Sequence, residues 1–411
     1  WRDRMTITRS EITLLPDPDK RERRYTIISA DDHLCEPPHL FEGRLPKRFD
    51  DRVPRVIEAD DGAEAWLFED TLMPQVGFNA AAGRPPAEVL SRDPIRFSEM
   101  RRSAFDIHQR VADMDLDGIY ASLCFPSFLA GFGGVRLQTT SNDLDFSFAL
   151  LQAWNDWMAE EWAGTYPERI IANQLTWLHD ADIAAAEIRR NADRGFRSVT
   201  FPESPHQAGF PSLHSGYWDP FVAACAETGT VINVHTGSSG TLPASAPDAP
   251  RDVTSALFGA GYALTTTVDW LFSRYAVKHP DIKISISEGG IGWVPALLDR
   301  LEHHYRKQGD RLGTWAESDL SAAEVLQRNF YFCLVDEPSA MVQLDRIGIE
   351  NIMFETDFPH SDSSWPNSQK LFYKHMSDMP EETVRRISWQ NASELFGHPV
   401  PEAVQRDPNA Y

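Results

Sequence analysis

From residue 119 onward, short apolar segments alternate regularly with longer segments whose apolar residues recur every three or four positions. The short segments are typical of buried strands, and the longer ones have the period of a helix. Alternating strands and helices form parallel βαβ units, because a parallel neighbour can only be reached by a long crossover. With one more apolar segment before residue 31, eight strands are predicted: residues 25–30, 119–125, 170–177, 198–202, 230–235, 282–287, 330–335 and 351–356.

Eight parallel strands favour an α/β fold closed into a (β/α)8 TIM barrel. The alternative is an open doubly wound sheet, but no Gly-x-Gly-x-x-Gly pattern follows the first strand, which argues against its dinucleotide-binding form. The chain has 411 residues, a length that single α/β barrels often reach. We therefore predict one barrel domain over residues 25–400, an N-terminal arm over residues 1–24 and a C-terminal tail over residues 401–411.

Residues 36–102 interrupt this regular pattern immediately after the first strand. The segment is rich in proline and has a hairpin signal at Gly62, yet it carries aromatic residues such as Trp66 and Phe78. A solvated linker does not need large aromatic side chains, whereas a long ordered loop usually has a functional role. We expect a distorted barrel in which this insertion forms a lid over the mouth, with Trp66 and Phe78 in contact with substrate.

The charge of the chain limits its partners. The formal net charge is −22, which argues against nucleic acid and anionic membranes as ligands. The four cysteines are far apart and show no metal-binding or redox spacing, so we expect buried free thiols. No long apolar run and no signal-peptide pattern is present, and we expect a soluble cytoplasmic protein that acts on a small molecule.

Metal-binding side chains recur where the predicted strands end. Asp31 and His33 follow the first strand, His235 ends the fifth and Asp357 follows the eighth. In an extended segment Asp31 and His33 point to the same face, because alternate residues share a face. Barrel enzymes build their sites at the carboxyl ends of strands, and carboxylate with imidazole binds divalent metals. We predict one divalent ion bound by Asp31, His33, His235 and Asp357.

Each of these residues also has a structural interpretation. Asp32 could be the inward carboxylate, with Asp31 as a capping residue. His235 could be a hydrogen-bonded core histidine, and Asp357 could cap the next helix. Glu288, which follows the sixth strand, could bind metal, act as a general acid or base, or form a salt bridge.

Four segments resemble one enzyme family, in the same order along the chain: SADDHLCEPPHLFEGRLP, VINVHTG, SEGGIGWVPALLDRLEHHY, and ETDFPHSDSSWP followed by QNASELFG. They are similar to the amidohydrolase-related family typified by aminocarboxymuconate-semialdehyde decarboxylase, and the resemblance spans residues 28–397. It implies a distorted TIM barrel with one divalent metal at its mouth. In that family the histidine matching His235 binds metal, and the aspartate matching Asp357 binds metal and exchanges a proton.

One position departs from the family. Many members have a histidine after the sixth strand, where this chain has Glu288. A carboxylate cannot donate a hydrogen bond unless it is protonated, so we assign Glu288 as a second catalytic base or an extra ligand. We expect Zn²⁺, with Mn²⁺ and Fe²⁺ as alternatives because the donor set is rich in oxygen. His360 is expected beside the substrate, and Glu36 and Asp362 behind the metal ligands.

These residues lead us to expect a metal-dependent hydrolase that acts on a small cyclic or aromatic substrate through a metal-activated water. The first alternative is a non-oxidative decarboxylase of an aromatic or unsaturated carboxylic acid, in which Asp357 protonates the ring carbon. The second is a barrel without catalysis that binds a ligand. The family resemblance also suggests a homodimer.

Overall fold

The computed structural model describes residues 12–241, 246–308, 315 and 318–411. Residues 1–11 of the predicted N-terminal arm therefore lie outside the described residues. In chain order the strands are β1 (Ile28–Leu34), β2 (Arg55–Glu58), β3 (Glu64–Phe68), β4 (Thr71–Pro74), β5 (Ala121–Pro126), β6 (Ile170–Ile171), β7 (Asn173–Leu175), β8 (Ser198–Pro202), β9 (Val231–His235), β10 (Ile284–Ser287), β11 (Phe330–Leu334) and β12 (Ile352–Phe354).

The larger sheet is parallel, and its two outer strands are consecutive along the chain. Its strand order is β6-β5-β1-β12-β11-β10-β9-β8-β7. The two outer members, β6 and β7, are one stretch of chain interrupted only at Ala172. Ile170 and Ile171 pair with β5, while β7 pairs with β8, so one segment bonds to both ends of the row. Eight segments therefore form a ring, which confirms the predicted barrel and excludes an open sheet.

Helices surround the barrel and pack apolar faces against it. In chain order they are α1 (Ile107–Asp117), α2 (Val135–Thr139), α3 (Leu144–Trp157), α4 (Ala163–Thr165), α5 (Ala181–Ala192), α6 (Asp219–Thr228), α7 (Arg251–Leu257), α8 (Ala260–Phe272), α9 (Tyr275–Lys278), α10 (Val294–Gln308), α11 (Ala322–Asn329), α12 (Leu344–Ile347), α13 (Ser368–Met376), α14 (Glu381–Arg385), α15 (Asn391–Phe396) and α16 (Glu402–Arg406). Among these described helices, none is long and apolar enough to cross a bilayer.

The first strand differs from its predicted limits. β1 begins at Ile28 and continues to Leu34, so Asp31 and His33 lie within the strand rather than after it. Its register with β5 shifts between Ser29 and Asp32, where β1 contains one residue more than its partner. Such a bulge redirects side chains and is common beside active sites. The apolar run ends at Ala30, and no sequence pattern indicates that pairing continues through the polar residues.

The insertion contains a second, antiparallel sheet of order β2-β3-β4. The predicted hairpin is confirmed, since β2 pairs with β3 across the turn that contains Gly62. Beyond this sheet, the backbone N–H groups of Ala81 and Ala82 both donate to the carbonyl of Pro359, in the loop after β12. Part of the insertion is therefore fixed beside the loop that carries Asp357. That the insertion acts as a lid stays a prediction.

The predicted C-terminal tail is packed. It contains α16, in which Val404 is buried. The ring of Tyr411 lies 4.0 Å from the guanidinium carbon of Arg23 and 4.9 Å from that of Arg169. Both arginines are buried. The last residue of the chain is thus packed against Arg23, which lies shortly before β1.

Candidate metal centre

β1 presents Asp31 and His33 to the inside of the barrel. Both side chains are fully buried. The Nε2 atom of His33 is 3.7 Å from Oδ1 of Asp31, and Nε2 of His235 is 3.5 Å from Oδ2 of Asp31. Neither carboxylate oxygen of Asp31 forms a hydrogen bond with any residue that the structure describes. A buried carboxylate in this state is costly without a cation, so Asp31 has the environment of a metal ligand.

Asp32, the neighbouring carboxylate, has the opposite environment. Its oxygens accept hydrogen bonds from the hydroxyls of Ser122 and Thr356 and from the N–H of Phe358. These bonds tie β1 to β5 and to the segment on both sides of Asp357. The bulge in β1 thus separates the two carboxylates, and the alternative in which Asp32 faces the site is excluded by its contacts.

β9 ends at His235, which is fully buried. Its Nδ1 atom lies 2.7 Å from the carbonyl of Thr236 and therefore donates a proton to it. The Nε2 atom is then an unprotonated acceptor, and it lies 2.9 Å from Nε2 of His33. Burial lowers the pKa of His235 to about 3, so its imidazole is neutral near neutral pH. This is the form that binds metals.

Asp357 follows β12 and has a left-handed backbone conformation, with φ of 50°. Non-glycine residues rarely adopt this conformation, and it is found where function requires it. Its Oδ1 atom is 3.5 Å from Nε2 of His33 and 3.0 Å from Nδ1 of His360. The ring of His360 also stacks on that of His33, with centroids 3.6 Å apart. His360, predicted beside the substrate, therefore contacts both a predicted ligand and the predicted acid.

Glu288 follows β10 and also has a left-handed backbone, with φ of 53°. Its Oε2 atom accepts a hydrogen bond from the Thr236 hydroxyl at 3.2 Å and lies 3.4 Å from Nε2 of His235. Its N–H donates to the carboxylate of Glu355 at 3.1 Å, and Glu355 is itself buried. Glu288 therefore belongs to the cluster. The salt-bridge interpretation is not supported, because its neighbours are neutral or acidic.

The separations between these donor atoms suit a single ion. Two atoms that bind one ion at right angles, each about 2.1 Å away, lie about 3.0 Å apart, and a tetrahedral arrangement gives about 3.4 Å. The contacts of His33 with His235, Asp31 and Asp357 run from 2.9 to 3.7 Å. Donor atoms of Asp31, His33 and His235 all lie within 4.8 Å of one another, and so do those of His33, Asp357 and His360. The residues present therefore fit a divalent ion.

The electrostatics of the cluster also favour a cation. Burial raises the pKa of Asp31 well above its usual range, and the charges of Glu355 and Asp357 raise it further. Burial is likewise the main reason that the pKa values of Asp357 and Glu288 are raised. Because the histidines are neutral, no positive side chain compensates these acids within the cluster itself. A bound divalent cation would stabilise their ionised forms.

Four other predicted site residues lie outside the cluster. Trp66 is buried in the insertion, its ring 6.3 Å from that of Phe41, and the ring of Phe78 lies 5.6 Å from the guanidinium carbon of Arg92. Asp362 is exposed, and its charge helps to raise the pKa of Asp357. Roles for these residues toward a substrate stay predictions.

Glu36, the fourth of them, was expected behind the metal ligands, and that role stays a prediction. Its buried carboxylate accepts hydrogen bonds from the N–H groups of Phe128 and Ala130, at 3.0 and 2.9 Å. It thereby holds the loop after β5, which leads to Phe132. The two rings of Phe132 and His33 have centroids 4.6 Å apart.

Sequence reasoning missed Phe132 and Arg110. Phe132 lies between Gly131 and Gly133, and this glycine-rich segment was the one signal of an unusual loop. Arg110 is buried in α1; its guanidinium donates to the carbonyl of His33 and lies 4.6 Å from the ring of Phe358. Burial raises the pKa of Asp32, and the positive charge of Arg110 opposes that rise. Arg110 resembles an ordinary helix residue in the sequence, so no pattern distinguishes it.

The chain belongs to the amidohydrolase family of enzymes, whose family model matches residues 60–398. No protein in the set of curated proteins matches it. Among solved structures it is similar to an amidohydrolase from Mycobacterium avium subsp. paratuberculosis, with 23% identity and a TM-score of 0.72. That match covers 92% of this chain and 100% of the other.

Two further similar structures are decarboxylases solved with manganese. One is 5-carboxyvanillate decarboxylase from Novosphingobium aromaticivorans with 3-methoxy-4-hydroxy-5-nitrobenzoic acid, at 20% identity and a TM-score of 0.61, covering 93% of this chain and 100% of that one. The other is a dihydroxybenzoic acid decarboxylase from Polaromonas with 2-nitroresorcinol, at 17% identity and a TM-score of 0.63, covering 92% and 98%. At these identities the likeness confirms the fold alone.

Proposed function

We propose that this protein is a metal-dependent, non-oxidative decarboxylase of an aromatic or unsaturated carboxylic acid. The observation that carries the proposal is two overlapping buried groups, one of Asp31, His33 and His235 and one of His33, Asp357 and His360. Neither oxygen of the Asp31 carboxylate forms a hydrogen bond with a described residue. Support comes from similar folds whose structures hold manganese together with nitro-substituted phenols or acids. Hydrolysis, which the sequence analysis favoured, has no such support and stays a prediction.

The ion would be held by Asp31, His33, His235 and Asp357, with Glu288 close enough to join them. When bound, it supplies positive charge that binds the substrate carboxylate and an adjacent oxygen and stabilises negative charge that develops during the reaction. The donor set contains three carboxylates and two imidazoles, so most of its donor groups offer hard oxygen ligands. We therefore place Mn²⁺ ahead of Zn²⁺, which was the expectation from sequence.

Asp357 would supply the proton. In the reaction the bond between the ring carbon and the carboxylate breaks, carbon dioxide leaves, and the electron pair stays on the ring carbon. That carbon then takes a proton from a carboxyl oxygen of Asp357. Burial raises the pKa of Asp357, and a bound cation would oppose that rise. Asp357 would therefore take up a proton from solvent in each turnover before it delivers that proton to the ring carbon.

His360 and Glu288 would support this step from two sides. The Nδ1 atom of His360, 3.0 Å from Oδ1 of Asp357, orients the carboxyl group toward the cluster. Two hydrogen bonds fix Glu288. Its backbone N–H donates to the Glu355 carboxylate, and its side chain accepts from the Thr236 hydroxyl. A carboxylate held in this way can bind a substrate hydroxyl and accept its proton, which increases electron density on the ring.

Turnover in heavy water tests the proposal. Manganese-loaded protein would be incubated in D₂O with 2,6-dihydroxybenzoate and 5-carboxyvanillate as probes, and separately with aromatic esters, lactones and amides. We expect carbon dioxide and a phenol that carries deuterium at the carbon that lost the carboxylate. Hydrolysis of the neutral compounds without any release of carbon dioxide from the acids would overturn the proposal and restore the hydrolase.

A further inference from the structure

Phe132 covers the cluster of histidines. The centroid of its ring is 4.6 Å from that of His33, 4.6 Å from that of His235 and 5.4 Å from that of His360. These are contact distances for aromatic rings. The three histidines are buried, whereas Phe132 is partly exposed. The phenyl ring therefore contacts all three histidines, while Phe132 as a residue is partly exposed.

The backbone around Phe132 is held in place. The Thr200 hydroxyl donates to the Phe132 carbonyl at 2.7 Å, and the N–H of Gly134 donates to the carbonyl of Gly131 at 3.0 Å. A Cβ atom at Gly133 would lie only 2.8 Å from the carbonyl oxygen of Ser238, so only glycine fits there. The position of the ring thus depends on rotation of the side chain, since the backbone on both sides is fixed.

We propose that Phe132 is a specificity-determining residue that selects flat, conjugated acids. No ring fits between Phe132 and the histidines at these separations. A substrate that approaches the histidines over the face that Phe132 covers must therefore contact the phenyl ring or displace it. A planar ring can stack on the phenyl group or meet its edge, whereas a puckered saturated ring of the same size presents hydrogens that prevent close contact.

This inference rests on the proposed function for its substrate class, but it can be tested by binding alone. The probes are benzoate and cyclohexanecarboxylate, which share the carboxylate, carry no second metal-binding group and differ in planarity. Their affinities for manganese-loaded protein would be measured by titration calorimetry. Aromatic pairing predicts that the wild type binds the planar acid about 2- to 12-fold more tightly.

Three variants make the comparison specific. Phe132→Leu keeps an apolar side chain and should bring the affinity ratio close to one without loss of bound manganese. Phe132→Tyr keeps the ring and should keep the ratio. Phe148→Leu is the control, because Phe148 is also partly buried and contacts an aromatic ring, that of Trp177 at 5.1 Å, but lies on α3 outside the barrel.

Two results would overturn the inference: an unchanged ratio in Phe132→Leu, or no preference in the wild type. Failure of the proposed function gives a different result. If the protein releases no carbon dioxide from any acid, yet the ratio falls in Phe132→Leu alone, the decarboxylase is wrong and the selective role of Phe132 is supported.

Discussion

Asp31 and Asp32 are adjacent and chemically identical, yet the structure predicts that their replacement by asparagine has opposite consequences. Asp31 has no described hydrogen-bond donor on either oxygen, whereas Asp32 accepts three hydrogen bonds. Asp31→Asn removes a charged ligand. Changes to groups that merely support a ligand cost about 10- to 100-fold in metal affinity, so loss of this ligand should exceed about 100-fold.

In the metal-free proteins, Asp31→Asn should increase stability and Asp32→Asn should decrease it. The folded-state pKa of Asp31 is raised, so its stabilising contribution is complete below its unfolded-state pKa and is lost as pH rises. At pH 7 Asp31→Asn should therefore increase the free energy of unfolding of the metal-free protein. Asp32→Asn leaves at least one buried donor without its charged acceptor and should lower that free energy by about 1–3 kcal/mol.

The assay combines two measurements on both variants. Manganese affinity would be determined by competition with a chelator, and the free energy of unfolding by denaturant titration after the metal is removed. Asp32→Asn should keep manganese affinity within about 100-fold of the wild type, the range for a supporting group. If Asp32→Asn loses manganese while Asp31→Asn keeps it, the assignment of the inward carboxylate is wrong.

Three more outcomes follow from the raised pKa values. Asp357→Asn should lower kcat by at least about 100-fold with part of the metal retained, and Glu288→Gln should lower it less, as steady-state kinetics with metal analysis will show. Manganese affinity should rise with pH above the range in which exposed carboxylates titrate, because protons compete for the buried carboxylates while the histidines are already neutral. A flat profile would contradict this. Burial raises the pKa of Asp117 from 3.8 to about 7, so its contribution to stability is complete below 3.8 and is lost as pH rises through 7. Asp117→Asn should therefore reduce the decline in the free energy of unfolding over that range, and an unchanged pH profile would show that Asp117 ionises normally.

The barrel could be predicted from the sequence because its strands are buried on both faces. Segments such as β8 and β9 are short apolar runs bounded by polar residues, and their limits agree with the prediction to within one residue. Residues 257–279 have a helical period throughout, and the single helix that this period predicts is wrong. It is divided between α8 and α9 at Arg274, whose left-handed φ of 69° ends the first helix, and no glycine or proline marks that point.

The candidate site was predictable in its residue types and less so in its arrangement. His235 and Asp357 follow apolar strands, and parallel strands bring such residues to one edge. The choice between Asp31 and Asp32 depends on a bulge, which is set by pairing with β5 and has no signal in the sequence. Phe132 depends on how a loop after one strand folds over residues from two others, and single-sequence patterns carry no information on that contact.

We propose that one divalent ion is bound by Asp31, His33, His235 and Asp357. An anomalous difference map from crystals of the manganese-loaded protein would locate that ion. We expect one peak about 2.0–2.2 Å from the Nε2 atoms of both histidines and from a carboxylate oxygen of each aspartate. A fully loaded protein whose peak lies elsewhere, or a map in which Asp32 replaces Asp31 beside the ion, would contradict it.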